Sequence, residues 1–135
     1  MRMTPKSKPR TWFVRKILYK RKEIGTIQLV NYLNGSRPHI ELYLQKEYRN
    51  TGIMKKELKL YLKKCKEYTY TRQIIAVVKQ DNIPSIKLLE QNGFIKVSNI
   101  EENIIYIIDL NFRKEDFIKA VALSEKAFPI RRKYD

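Results

Sequence analysis

Reactive side chains are scarce in this 135-residue chain, which has one cysteine, Cys65, and one histidine, His39. A lone cysteine excludes an internal disulfide, and one Cys with one His excludes a His/Cys metal cluster. A Ser-His-Asp or Cys-His hydrolase would have to be assembled on His39 alone, and no serine or cysteine sits in a nucleophile turn. Long apolar runs are also missing. No stretch approaches the ~20 residues a helix needs to cross a bilayer. Residues 12–19 are interrupted by Arg15 and Lys16, so no clean secretory leader is present, and the expectation is a cytoplasmic protein without membrane contact. Acidic residues are the third shortage: 14 Asp and Glu stand against 29 Lys and Arg, a net charge of +15.

What is present describes one folded domain. A hydrophobic fraction of 43% supports a single core, and a charged fraction of 32% gives a heavily charged surface. The positive charge is uneven. Arg2, Lys6, Lys8, Arg10, Arg15, Lys16, Lys20, Arg21 and Lys22 crowd the first 23 residues against Glu23 alone; a second run follows 55–66, and Arg131, Arg132 and Lys133 close the chain. Such a field attracts polyanions, whether nucleic acid, acidic protein or a phosphate-rich ligand. The plainer reading is a solvated surface drawn from an A/T-rich genome, which favours Lys, Ile, Asn and Tyr codons.

Residues 11–19 and 24–33 are rich in aromatic and β-branched residues and read as strands joined by the charged turn 20–23. Asn34-Gly35 tolerates positive φ at both positions and predicts a hairpin onto a strand at 38–44. The period then lengthens. Met54, Leu58, Tyr61, Leu62 and Cys65 form one helical stripe over 52–68, with lysines around the remainder. The continuous apolar run 74–78 is a strand covered on both faces. Residues 83–91 read as a short helix, capped by Asn82, opened by Pro84 and ended by Asn92-Gly93. Strands at 94–98 and 104–110 follow, then an amphipathic helix over 114–127 that Pro129 stops. The order β-β-β-α-β-α-β-β-α implies an α+β fold (an α/β sandwich): a mixed, mostly antiparallel sheet with helices packed on it. The helical crossover from Leu44 to Ile74 lays its two strands parallel. Three parts result: a basic arm over 1–10, a domain over 11–110, and a helix with a basic tail over 111–135.

The chemically informative stretch runs from Leu42 to Met54, where a strand ends and a glycine-bearing turn leads at once into a helix. The amides at a helix start are unpaired and carry partial positive charge, so such a turn suits an anion, and Gly52 clears the space a phosphate needs. A tight turn into a helix wants glycine as well.

Glu47-Tyr48-Arg49 followed by Gly52 resembles the acyl-CoA pyrophosphate loop of the GNAT superfamily of N-acetyltransferases, with Met54 where that loop has a small residue. Asn82-Ile83-Pro84 leading to Asn92-Gly93-Phe94 resembles the family's second motif. The resemblance covers 12–110 and implies a GNAT-like fold in which acetyl-CoA, the co-substrate, lies between two splayed strands. Its pantetheine would run along Leu42, Tyr43 and Leu44. Its pyrophosphate would rest on Arg49, Asn50, Thr51, Gly52, Ile53, Met54 and Lys55, with Asn82 and Ser85 beside the pantetheine. No metal is implied. The Met54 side chain would have to turn into the core beside Leu58.

The resemblance also implies direct attack of an amine on the thioester while both substrates are bound. Strand alternation puts His39, Glu41 and Tyr43 on one face and Ile40, Leu42 and Leu44 on the other. Glu41 is the first candidate base and His39 the second; the competing reading makes both ordinary polar residues on a wet face. Leu89 stands where the family commonly has an acid tyrosine, and Tyr106 or Ser85 are the substitutes. The family's N-terminal strand and acceptor helices are missing, which leaves one sheet face bare, to be covered by 114–128 or by a partner subunit in a homodimer. Strong positive charge repels small polycations, so the amine acceptor is expected on a macromolecule, a protein or one associated with nucleic acid. The alternative is a non-catalytic module of the same fold that holds nucleic acid or a ribonucleoprotein through the basic arm. Cys65 reads as core, and Trp12 and Phe13 read as sheet packing, with base stacking left open by Arg10 and Arg15.

Overall fold

The structure is a computed structural model that describes residues 9–32 and 37–111. The basic arm up to residue 8, the Asn34-Gly35 turn and the terminal helix expected over 114–127 lie outside the described residues.

Alternating strand residues build one six-stranded sheet from β1 (Arg10–Tyr19), β2 (Lys22–Asn31), β3 (His39–Leu44), β4 (Gln73–Lys79), β5 (Ile95–Ile100) and β6 (Asn103–Asp109). The spatial order is β1-β2-β3-β4-β6-β5, and every neighbouring pair is antiparallel except β3 with β4. The parallel pair follows from the crossover through α1 (Ile53–Tyr68), as the sequence order requires. The expected elements are all found within the described residues, with ends moved by one or two positions.

Both helices, α1 and α2 (Ile83–Gln91), lie on the same side of the sheet. One core joins Leu58, Tyr61, Leu62 and Cys65 of α1 and Leu89 of α2 to Ile27, Leu29, Ile40, Ile74, Ala76, Val78 and Ile104 of the strands. Tyr61 donates its hydroxyl to Phe13 O at 2.6 Å, and Tyr106 donates to Glu90 Oε2 at 2.9 Å, so neither buried ring leaves a polar tip unpaired. Cys65 is fully buried and burial pushes its thiol up to about 12, which makes it a core residue and no nucleophile. The opposite face carries His39, Glu41, Tyr43, Ile75, Val77, Ile105 and Ile107. No helix covers this face among the described residues, and Val77 stands 47% exposed on it.

The end of α2 shows why Gly93 is there. Phe94 N–H bonds Leu89 O at 3.0 Å and Gly93 N–H bonds Glu90 O at 3.1 Å, the double closure that needs a left-handed residue, and Gly93 has φ +94°. Phe94 is thereby turned into the core and not into the strand predicted to begin with it; β5 starts one residue later.

Candidate functional site

The seam between β3 and β4 closes at one end and opens at the other. The strands register at a single pair, His39 with Ile75, fixed by Ile75 N–H bonding Pro38 O at 2.9 Å. Beyond it they part. Gln45 N–H bonds Ile24 O, so in the antiparallel register the alternate residues Tyr43 and Glu41 turn their peptide groups to β2. The N–H and C=O of Leu42 therefore face the gap, and by the same alternation those of Val77 face it from β4. Between them lies a cleft of about 500 Å³. Its walls are Leu42 and Glu41 of β3, Ala76 and Val78 of β4, and Asn82, Ser85 and Leu89 at the start and body of α2.

The loop from β3 to α1 sits past the open end of the seam. A single turn of 3-10 helix (Lys46–Tyr48), unforeseen in the sequence, leads out of the strand. Tyr48 packs its ring on Tyr19 at 5.5 Å, and Thr51 donates its hydroxyl to Tyr48 O at 2.5 Å. Arg49 donates Nε–H to Leu44 O at 2.8 Å and folds over the Tyr43 ring, tying the loop to the strand it leaves. Two left-handed residues, Asn50 at φ 60° and Gly52 at φ 86°, then reverse the chain into α1. Asparagine and glycine bear that conformation at the least cost.

The start of α1 is open. No side chain caps it, and the first ladder bond is Lys56 N–H to Gly52 O at 3.3 Å, so the amides of Ile53, Met54 and Lys55 precede the ladder. A Cβ placed on Gly52 would meet nothing within 4 Å. The glycine is thus required by its φ and leaves free space above the amides. Met54 packs against the core, as its substitution for a small residue demanded, and leaves its amide clear. The start of α2 differs: Asn82 Oδ1 accepts from Ser85 N–H at 3.3 Å and Pro84 fills the first turn, as expected.

Glu41 lies on the helix-free face of the cleft. One carboxylate oxygen accepts from Gln28 Nε2 at 2.9 Å and the other from Tyr32 OH at 3.3 Å. His39 meets the same tyrosine edge-on at 4.9 Å, at the closed end of the seam and outside the cleft lining. Burial holds its imidazole below the usual 6.5, against the opposing pull of the Glu41 carboxylate, so it is neutral at pH 7. Tyr32, which links the two, carries no signal in the sequence that would single it out. Tyr106 points into the core, and burial together with its bond to Glu90 pushes it up to about 12; it does not reach the cleft. Ser85 does reach it, and so does the apolar side chain of Leu89.

The predicted residues thus fall in three places. Glu41, Leu42, Tyr43, Asn82 and Ser85 line the cleft. Arg49, Asn50, Thr51, Gly52, Ile53, Met54 and Lys55 form the loop and helix start beyond it, and Leu44 has its side chain in the core. His39 stands apart.

The model of the acetyltransferase (GNAT) domain family matches residues 2–95. The chain belongs to the GNAT acetyltransferase family. Solved GNAT acetyltransferases share its fold. The ribosomal-protein-S5-alanine acetyltransferase of Vibrio fischeri aligns with TM-score 0.60 at 22% identity, over 68% of this chain and 57% of that one. A spermidine N-acetyltransferase SpeG chimera of Vibrio cholerae and hSSAT aligns with TM-score 0.63 at 18% identity, over 76% and 68%. A domain from Methanocaldococcus jannaschii aligns with TM-score 0.56 at 28% identity, over 65% and 57%. The chain therefore spans a little over half the length of the Vibrio fischeri and Methanocaldococcus jannaschii structures. No curated protein sequence matches it. Among the described residues no helix is long and apolar enough to cross a membrane, and no group of His, Cys, Asp and Glu is placed to hold a metal ion.

Proposed function

We propose that the chain transfers an acetyl group from acetyl-CoA to an amine, with both substrates bound at the β3–β4 seam. The observation that carries this reading is the seam itself. Peptide groups of Leu42 and Val77 face each other across a cleft instead of pairing, which leaves donors and acceptors on both sides for a ligand to use. An extended amide-bearing arm such as pantetheine satisfies both sides as an inserted strand would. The diphosphate then falls beyond the open end, where the loop from Arg49 to Lys55 presents the uncapped amides of α1 under a bare Gly52. The fit is geometric: a flat run of backbone polar groups, then an anion cradle, in the order the co-substrate carries them.

The amine approaches from the helix-free face, where Glu41 borders the cleft. Glu41 takes the proton of the ammonium, directly or through water, and the free amine attacks the thioester carbonyl carbon. The carbon–sulfur bond breaks and the thiolate leaves with the coenzyme. Gln28 and Tyr32 hold the carboxylate in place. With Leu89 in the tyrosine position and Tyr106 turned away, Ser85 is the cleft hydroxyl nearest in kind to an acid, and a thiolate leaves without much help from one. His39 lies outside the cleft, which demotes it to a support for Tyr32. The exposed face and a net charge of +15 favour an amine on a macromolecule over a free polyamine.

The test is calorimetry with acetyl-CoA beside a thiol-release assay on a panel of peptide and small-molecule amines. Glu41→Gln is expected to keep coenzyme affinity and to slow thiol release by about 10²-fold or more, the usual range for a lost base. Release at the parental rate removes Glu41 from the mechanism, and absence of coenzyme binding ends the whole reading.

A further inference from the structure

At the closed end of the seam, on the far side from the cleft, the molecule has a second and larger cavity of about 890 Å³. It is bounded by the first residues of β1, the ends of β2 and β4 that meet there, and the segment leaving α1. The side chains that matter are Trp12, Arg37, Tyr68, Tyr70, Thr71 and Arg72. Among the described residues no carboxylate lines it; Asp109 lies behind Arg72, nearly fully buried, and Glu67 faces solvent on the last turn of α1.

We propose that this groove binds single-stranded nucleic acid, stacking bases on its aromatic rings and pairing phosphates with its arginines. Tyr70 is fully exposed and Tyr68 is 72% exposed, so folding gives neither ring a reason to be aromatic. Yet the segment that carries them is fixed. Thr69 closes α1 with N–H and hydroxyl bonds to Cys65 O at 3.0 and 2.6 Å, and its hydroxyl accepts from Thr71 N–H at 3.1 Å. Leu110 N–H then bonds Arg72 O at 2.7 Å, and Arg72 Nε reaches Asp109 at 3.2 Å. The opposite wall is equally rigid. A bulge in β1 puts Phe13 at φ 52°, a costly conformation for an aromatic residue, and seats its ring on Tyr61 at 5.4 Å. Trp12 is left half-buried at the groove edge, its indole N–H held by Asn31 Oδ1. Rings carried on two fixed stretches of backbone, charged guanidinium groups between them and the hydroxyls and amides of Thr71, Asn31 and Gln73 match the needs of an unpaired strand. A duplex hides its base faces and an acidic peptide has none to stack. The +15 charge of the chain supplies the long-range attraction.

The experiment is fluorescence anisotropy of a labelled ten-nucleotide oligo(dT) or oligo(rU) with the full chain, at several salt concentrations. Replacing Tyr68 and Tyr70 together by Ala is expected to weaken binding about 30-fold or more, since each stacked base contributes roughly five- to a hundredfold. Tyr70→Phe keeps the ring and should bind within about twofold of the parent. Arg37→Gln should lower the slope of log K against log salt by about 0.7, one phosphate contact on a single strand. Acetyl-CoA binding and melting temperature should stay as in the parent for all three, because every altered side chain is exposed and none lines the cleft. Equal affinity for a duplex of the same length overturns the proposal. So does undiminished binding by the double alanine variant, or displacement of the oligomer by an acidic peptide of equal charge at equal concentration.

Discussion

β3 and β4 are adjacent in the sheet, yet the two ends of their seam do opposite things. At Pro38, His39 and Ile75 the strands are bonded and the backbone is satisfied, as in any parallel pair. Two residues further on, at Leu42 and Val77, the same strands have parted and their peptide groups face a cleft. Local propensity does not separate the ends along β4, where Ile75 and Val77 are both β-branched residues of one strand. The difference lies in what surrounds them. On the closed side Ile75 N–H donates to the Pro38 carbonyl; on the open side Asn82, Ser85 and Leu89 of α2 approach the gap, and Arg49 holds the end of β3 over toward its own loop. A sheet gives up ladder bonds where another molecule is to supply them.

That contrast can be attacked directly. Leu42→Pro removes an N–H that faces the gap and not β2, so the sheet should survive while acetyl-CoA binding falls by about 30-fold, the loss of one buried backbone bond near 2 kcal/mol. Calorimetry beside a melting curve checks both halves. Tyr43→Pro, whose N–H faces β2, should instead unfold the domain. Next in size, Gly52→Asp places a carboxylate against the open amides of α1; the left-handed φ of 86° costs the new side chain about 1 kcal/mol of stability, read in Tm, while coenzyme affinity falls about tenfold by charge repulsion. Asn82→Ala removes the cap of α2 beside the open end and should cost about 1 kcal/mol of stability, a few degrees in Tm, read by thermal denaturation.

The smallest effect belongs to the closed end. The folded value of His39 lies below 6.5, so on acidification the unfolded chain takes up this proton first. Stability is therefore lost as the pH falls through 6.5 toward the folded value, and it is fully present above 6.5. His39→Gln should flatten that fall between pH 7 and about 5.5, measured as the difference in Tm between the two conditions. A variant that keeps the whole fall would place its origin elsewhere.

Much of this was legible in the chain. Periodicity and apolar runs located every strand and α-helix within the described residues, although the run 74–78, expected to be covered on both faces, buries Ile74, Ala76 and Val78 on one face and leaves Val77 exposed on the other. The cap of α2 and its Gly93 end were legible because they depend on residues within five positions of each other. The 3-10 turn at Lys46–Tyr48 was not, since it is held by Tyr48 packing on Tyr19, far away in sequence. Nor was the placing of His39 outside the cleft. Strand alternation assigns a face but not a distance along the seam, and the position of the single bridging pair decides that distance. Tyr32, which joins His39 to Glu41, and the aromatic groove at the opposite end were likewise invisible, because their members come from segments that meet only when the sheet is assembled.

By itself the sequence determined the element order, the buried stripes, the caps and the charge, all set by short-range sterics and by the transfer of apolar side chains from water. Only the tertiary structure decided where β3 leaves β4, that Tyr106 is spent on Glu90 and not on the cleft, and that Met54 can turn inward and leave its amide exposed. Those outcomes depend on which surfaces compete for the same space, and that competition exists only once the helices have packed on the sheet.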